Sequence, residues 1–208
     1  MVNSQTWLDQ NYPTNGTCIR VEDKENYGKT RAQIVNLDIS NQNLEIFLDL
    51  GSSFPILKAL NCSFNNLTTF SWNVLPNLEV LDVSYNRLNA TFAIPSTPSI
   101  QKLNISHNSI IAVNLNTPNL AYLDVNSNLL SILDLHSTLN LVELKCSNNP
   151  INNLTLVQSS KLVLFDCLGV RLVSTPTSSP VSPSTSLFPT CFIFFYKRSS
   201  VKNVIPTP

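Results

Sequence analysis

The sequence is poor in the residues from which most catalytic, metal and phosphate-binding sites are built. Its 208 residues include only two histidines and four glycines. It contains no glycine-rich phosphate loop, no nucleophile-elbow motif and no Cys/His spacing typical of a metal site. The 13 basic and 13 acidic residues cancel, whereas a nucleic-acid binder needs a basic face for phosphate contacts. We therefore expect no enzyme activity, cofactor, metal or nucleic-acid partner.

The sequence also has no long hydrophobic run. Its most apolar stretch, residues 187–196, is about ten residues long, whereas a membrane span needs about 20. Residues 1–4 show neither the basic region nor the apolar region with which a signal peptide begins, so we expect no signal peptide. Membrane association is therefore not expected, and a cytoplasmic location is favoured, with the cell surface as the alternative.

What the chain does have is one short sequence pattern written seven times. The copies follow one another at intervals of 20 to 23 residues. They begin at Ile34, Leu57, Leu78, Ile100, Leu120, Leu141 and Leu162. A period in this range indicates a solenoid, in which each repeat buries its apolar face only against its neighbours.

Each copy has apolar residues at positions 1, 4, 6 and 11, counted from its first residue. In the third copy, Leu81 and Val83 alternate with polar residues, which predicts a strand with one buried face. Position 9 is asparagine in five copies, where we expect a structural ladder that satisfies buried backbone groups. The ladder residues are Asn65, Asn86, Asn108, Asn128 and Asn149.

This pattern resembles the leucine-rich repeat family, whose consensus is L-x-x-L-x-L-x-x-N-x-L. The resemblance implies an α/β-class, right-handed horseshoe solenoid with a parallel sheet on its concave face. Apolar pairs two residues apart, such as Leu133 and Leu135, and several prolines predict short strands or turns rather than helices on the convex face. The chain is thus similar to the short-repeat branch. Its W-L-D-x-x-Y-P segment at residues 7–13 also resembles fungal or lower-eukaryote members.

Secreted members of this family usually carry paired-cysteine caps at both ends, and we find neither cap here, which favours the cytoplasmic location. Cys62, Cys146 and Cys167 all fall at position 6 and are expected to be small buried side chains. Six Asn-x-Ser/Thr sequons would carry glycans in a secreted protein, although the repeat pattern itself generates some of them.

We divide the chain into three regions. Residues 1–33 are expected to form an N-terminal cap with a short helix, and residues 34–172 the seven repeats. Residues 173–208 are expected to be a disordered, Ser/Thr/Pro-rich tail with a short apolar aromatic segment, and a passive appendage. No polar capping repeat follows the seventh copy. Either the tail covers that edge, or the C-terminus is truncated, or a partner or a second copy covers it.

Binding in this fold is expected on the concave face, where positions 3, 5, 7 and 8 display their side chains. Rows of aromatic and charged residues at positions 3 and 8, with Lys145 at position 5, are typical of protein-binding surfaces. The candidate binding residues are Phe64, Val80, Tyr85, Lys102, His107, Tyr122, Glu143 and Lys145. The sequence thus predicts a non-catalytic scaffold or adaptor. Its alternatives are the ectodomain remnant of a surface receptor or wall protein and, more remotely, a regulatory subunit associated with an enzyme.

Overall fold

The computed structural model describes residues 2–50, 52–71, 75–94, 99–156, 161–168, 170 and 192–194. Over these residues the chain is a parallel β-solenoid with little helix. Seven parallel strands, one from each repeat, stack in sequence order to form the concave sheet. They are β2 (Asn36–Asp38), β4 (Ala59–Asn61), β6 (Val80–Asp82), β8 (Lys102–Asn104), β10 (Tyr122–Asp124), β12 (Glu143–Lys145) and β14 (Leu164–Asp166).

The convex face is built from short strands, as the two-residue spacing of its apolar pairs predicted. These strands are β3 (Leu44–Asp49), β5 (Asn66–Ser71), β7 (Thr91–Ala93), β9 (Ala112–Asn114), β11 (Ile132–Leu135) and β13 (Asn153–Leu156). They pair in parallel as three separate sheets, β3 with β5, β7 with β9 and β11 with β13. The expected extended convex face is therefore confirmed.

The core lies between the concave and convex strands and runs the length of the solenoid. Position 4 is buried in all seven repeats, from Leu37 to Phe165, with exposures of 2% or less. Position 6 is buried equally, including Cys62, Cys146 and Cys167. Burial also raises the pKa of the Cys62 thiol, which favours the neutral, hydrophobe-like form. These cysteines pack as core residues.

The N-terminal region lies over the first repeat. A two-residue strand, β1 (Val2–Asn3), pairs in parallel with β3, and helix α1 (Ser4–Asn11) follows it. Asn3 caps the helix by accepting the Thr6 amide at 2.9 Å. Leu8 and Tyr12 are buried against the core, so this region covers apolar surface that the first repeat would otherwise expose.

The edge strand β14 has a partner at the C-terminal end of the concave sheet. A short strand, β15 (Phe192–Phe194), pairs with it in antiparallel orientation and opposes Leu164 with Phe194 and Asp166 with Phe192. This pairing favours the alternative in which the tail covers the edge over the expectation that residues 173–208 are only a passive appendage. The Ser/Thr/Pro-rich stretch itself lies outside the described residues.

In the described residues, no helix has the length and apolarity needed to cross a bilayer.

Candidate functional site

Strand register places residues of the same repeat position side by side on the concave face. Tyr122 lies opposite Lys102 on one neighbouring strand and Glu143 on the other. Val80 is half-buried and lies opposite Lys102, which is exposed. Position 3 therefore forms a continuous row from β6 to β12 that contains four of the eight candidate binding residues.

Position 8 follows the end of each concave strand, where the chain turns towards the convex side. In six repeats this residue has a positive φ, between 52° and 57°. These residues are Asn41, Phe64, Tyr85, His107, Ser127 and Asn148. Asparagine tolerates this left-handed conformation, whereas bulky side chains rarely adopt it and carry a strain of roughly 1–2 kcal/mol each. Three consecutive repeats therefore have a residue with an aromatic ring at a position where glycine or asparagine would be less strained.

These three rings form one stack, which we call the aromatic column: Phe64, Tyr85 and His107. The Phe64 and Tyr85 ring centroids are 4.3 Å apart with an interplanar angle of 8°. The Tyr85 and His107 ring centroids are 4.1 Å apart, and their interplanar angle is 11°. The column is not core, because Phe64 is 55% exposed and Tyr85 43%. Stacking of this kind contributes only about 0.5–1.5 kcal/mol per pair, which is comparable to the strain.

Backbone hydrogen bonds hold the column in register. The amide of Phe64 donates to the carbonyl of Ser84 at 3.0 Å, that of Tyr85 to Ser106 at 3.0 Å and that of His107 to Asn126 at 2.9 Å. Each position-8 residue is thus tied to position 7 of the next repeat. The ring spacing follows from the strand spacing of about 4.8 Å, so the solenoid pre-organises the column.

A polar cluster lies on the next two strands. Lys145 forms an ion pair with Glu143 at 3.1 Å and lies 5.3 Å from the centre of the Tyr122 ring. The Tyr122 hydroxyl donates to the Asp124 carboxylate at 3.3 Å. Lys145 therefore contacts both Glu143 and Tyr122, and Tyr122 in turn contacts a fourth residue, Asp124.

Electrostatics distinguish the groups of this cluster. Burial raises the pKa of Asp124, which is only 9% exposed, against the lowering effects of the Asn126 amide and of Lys145. Burial, followed by the nearby Asp124 charge, raises the pKa of Tyr122. Burial lowers the pKa of Lys145, but its hydrogen bond to Glu143 and its interactions with Tyr122 together outweigh this and leave the pKa raised. The cluster thus holds a paired lysine and a poorly solvated carboxylate.

Asparagines at position 9 bind the backbone rather than display a surface. Asn86 Nδ2 donates to the carbonyls of Cys62, Val83 and Ser84, and its Oδ1 accepts the Leu67 amide at 3.0 Å. The same pattern recurs at Asn65, Asn108, Asn128 and Asn149. Each side chain links two repeats, because it reaches back to a carbonyl of the preceding one.

The structure divides the eight candidate residues into an aromatic column, a polar cluster and the pair Val80 and Lys102 between them. Sequence reasoning missed Asp124, because aspartate recurs at position 5 and indicated only a common surface residue. It also missed the stacking and the positive φ of the column. Repeated Asn at position 8 was a signal for the backbone conformation. Across the described ranges there is no group of three or more potential metal ligands.

Comparison with known proteins agrees with this architecture. The chain is 39% identical to mouse Toll-like receptor 9 over 87 residues, which is 38% of this chain and 8% of the receptor. It is 32% identical over 117 residues to a leucine-rich repeat-containing protein of Schizosaccharomyces pombe, 54% of this chain and 19% of the relative. A leucine-rich repeat protein of Acanthamoeba polyphaga mimivirus is 32% identical over 123 residues, 59% of this chain and 28% of that protein.

The repeats of this chain are leucine-rich repeats. The functional domain of InlJ from Listeria monocytogenes superposes with a TM-score of 0.63 at 23% identity, covering 74% of this chain and 36% of that one. The leucine-rich repeat domain of APL1B gives a TM-score of 0.55 at 24% identity, covering 63% and 43%. These likenesses show the fold alone. No family model matches the sequence.

The chain spans less than a third of the length of each of the three relatives matched by sequence. Leucine-rich repeat domains are typically protein-binding scaffolds, and such relatives are generally non-enzymatic. Similarity therefore supports a protein partner in general. The specific role of this chain must be inferred from its own surface.

Proposed function

We propose that the chain is a non-catalytic protein-binding scaffold that engages its partner through the aromatic column and the adjoining polar cluster. The observation that carries this proposal is the backbone strain at the exposed rings of the column. Its three rings are exposed, and each stands on a left-handed backbone that disfavours it. Exposed aromatic groups on a rigid scaffold are the typical anchors of protein interfaces.

The polar cluster supports the same surface from the neighbouring repeats. Tyr122 is half-buried, pairs with charged neighbours and lies on the strand next to β8, which leads into His107. Interfaces commonly surround aromatic anchors with polar groups that fix orientation and exclude water. The concave face of repeats two to six therefore offers an anchor and a polar surround on one rigid sheet.

The test is affinity capture from the native cell with the chain as bait, followed by measurement of the captured partner's affinity for purified variants. Phe64→Asn with Tyr85→Asn should weaken binding at least tenfold, since each hot-spot residue contributes about 2 kcal/mol or more. Ile132→Asn, an exposed apolar position on convex strand β11, is the matched control and should bind normally. Equal loss in both variants, or in neither, would remove the concave face as the site.

A second candidate, the ectodomain of a surface receptor or wall protein, is supported by the sequons. Asn15, Asn89 and Asn153 are exposed and lie away from the concave strands. Asn61 and Asn104 instead donate hydrogen bonds to Asp38 and Asp82 on neighbouring strands, so their side-chain amides link strands of the sheet. Expression in the native cell, followed by deglycosylation, separates the candidates. A mobility shift that disappears with Asn15→Gln, Asn89→Gln and Asn153→Gln supports the receptor, and no shift supports the intracellular scaffold.

A further inference from the structure

At one end of the aromatic column, the position-8 residue next to His107 carries no ring, and we call the gap beside His107 the slot. The next position-8 residue after His107 is Ser127, whose amide continues the same hydrogen-bond series by donating to Ser147 at 2.9 Å. Register therefore places Ser127 where a fourth ring would stand, and its hydroxymethyl group is far smaller than a ring. Because successive positions are about 4.8 Å apart, the slot has roughly the thickness of one planar group.

A hydrogen-bond acceptor lies in the same repeat as this slot. Asp124 is a poorly exposed carboxylate whose oxygens accept the Asn126 amide at 3.0 Å and the Tyr122 hydroxyl at 3.3 Å. An ionised carboxylate has about four lone-pair sites, so two bonds leave capacity for more.

Resting on the proposed function, we propose that this slot, bounded by His107, Ser127 and Asp124, takes an arginine side chain of the protein partner. The guanidinium would stack on the outer face of His107 and donate hydrogen bonds to the Asp124 carboxylate. A guanidinium is the group that combines a flat, stackable surface with five N–H donors. It matches a ring face beside a carboxylate.

Charge on the surrounding face favours this occupant over a nucleotide. On strands β6 to β12 the outward residues include three carboxylates, Asp82, Asp124 and Glu143, against two lysines, Lys102 and Lys145. Glu143 already engages Lys145 at 3.1 Å. A base could stack in the slot, but its phosphate would meet this acidic surface without a basic cluster. A lysine ammonium lacks the flat surface of a guanidinium, so it cannot stack on the ring beside the slot.

The test uses the full chain, isotope-labelled for NMR, and three blocked tripeptides that carry arginine, citrulline or lysine between alanines. The arginine peptide should cause saturable shifts at the amides of Asn126 and Ser127 and at the ring protons of His107. Citrulline has the same shape without the charge, so it should bind about tenfold more weakly, as should lysine, which lacks the stacking plane. Equal binding of all three peptides would overturn the proposal.

Variants locate the site. Ser127→Tyr should fill the slot with a fourth ring and abolish the arginine shifts. Asn41→Tyr places the same residue in the same backbone conformation at the other end of the column and should leave them intact. Asp124→Asn should weaken arginine binding and keep the slot open. Shifts that persist in Ser127→Tyr, or that adenosine monophosphate produces at lower concentration than the arginine peptide, contradict an arginine site.

The outcome for the slot is separable from that for the scaffold. If Ser127→Tyr retains the captured partner while Phe64→Asn with Tyr85→Asn loses it, the aromatic column binds the partner and the slot inference fails. If neither set of substitutions affects the partner, the proposed function itself fails.

Discussion

At the scale of the residue, the repeat position determines what each side chain can do. At position 9, both polar side-chain atoms of each asparagine form hydrogen bonds with backbone groups, as in the four hydrogen bonds of Asn86. Position 8 residues adopt a left-handed backbone whatever their side chain, from Asn41 to Asn148. Bulky residues at position 8 are therefore disfavoured locally, which makes Phe64 and Tyr85 exceptions that the fold alone does not require.

The ladder predicts a large loss of stability on removal of one asparagine. Asn86→Ala leaves the Leu67 amide and the Cys62 carbonyl without their side-chain partner in a buried region. We expect the free energy of unfolding to fall by about 3 kcal/mol, since one unpaired buried group costs about 1–3 kcal/mol. Chemical denaturation would measure it, with the exposed Asn89→Ala as control. Equal, small effects in both variants would contradict the ladder's role.

Asp124 predicts a pH-dependent gain of stability. Because burial raises its folded pKa above the ordinary value of 3.8, ionised Asp124 opposes folding at neutral pH. Asp124→Asn should therefore have a higher Tm than the wild type above the folded pKa. This advantage should shrink as the pH falls through that pKa and vanish below 3.8, where both folded and unfolded carboxyls are protonated. A Tm difference that is constant between pH 7 and pH 3 would refute this account.

At the scale of the element, the N-terminal cap depends on one buried cation. Arg31 is 7% exposed, donates from Nε to the Tyr12 carbonyl at 2.6 Å and pairs with Asp9 at 2.5 Å. Its guanidinium also lies 5.4 Å from the centre of the Phe54 ring. Arg31 thus ties helix α1 to the first repeat from within the cap.

Removing this cation should destabilise the cap. Arg31→Ala is expected to lower the free energy of unfolding by about 2 kcal/mol, because it leaves the buried Tyr12 carbonyl unpaired. Lys24→Ala, an exposed cation of the same region, should change it by less than about 0.5 kcal/mol. Hydrogen exchange of the α1 amides would show whether the loss is local to the cap. Identical exchange in both variants would contradict this.

The elements show which parts of the fold were predictable. Alternation at Leu81 and Val83 predicted the concave strands, and the pair Leu133 and Leu135 predicted extended convex strands, because strand periodicity is a local property. The pairing of residues 192–194 with the edge strand was only one of several alternatives, since antiparallel pairing across the chain leaves no local pattern. The aromatic column was found only as a row of exposed residues. Its stacking and strain depend on register and backbone conformation, which a single repeat does not reveal.

At the scale of the whole molecule, the two ends of the solenoid are covered differently. The N-terminal end carries α1 and β1, whereas at the C-terminal end β15 adds one antiparallel strand to β14. Val163 and Leu168 flank this edge strand and are 50% and 38% exposed. An edge of this kind invites pairing with another chain unless it is covered.

Removal of the covering strand should therefore expose the edge. A chain that ends at residue 170 is expected to unfold at lower temperature and to self-associate as its concentration rises. A chain that ends at residue 194 keeps β15 and is the matched control. Light scattering and thermal unfolding would compare them. Two monomeric chains with the same Tm would show that β15 contributes nothing to the edge.

If the aromatic column serves binding, the protein should not need it for folding. Replacing Phe64, Tyr85 and His107 together with asparagine tests it most directly, by chemical denaturation of the full chain. Asparagine relieves strain of roughly 1–2 kcal/mol per residue and forfeits two stacking pairs of about 0.5–1.5 kcal/mol each. We predict an unchanged or higher free energy of unfolding. A decrease of more than about 3 kcal/mol, beyond what the two stacking pairs together contribute, would make the column structural and contradict the claim.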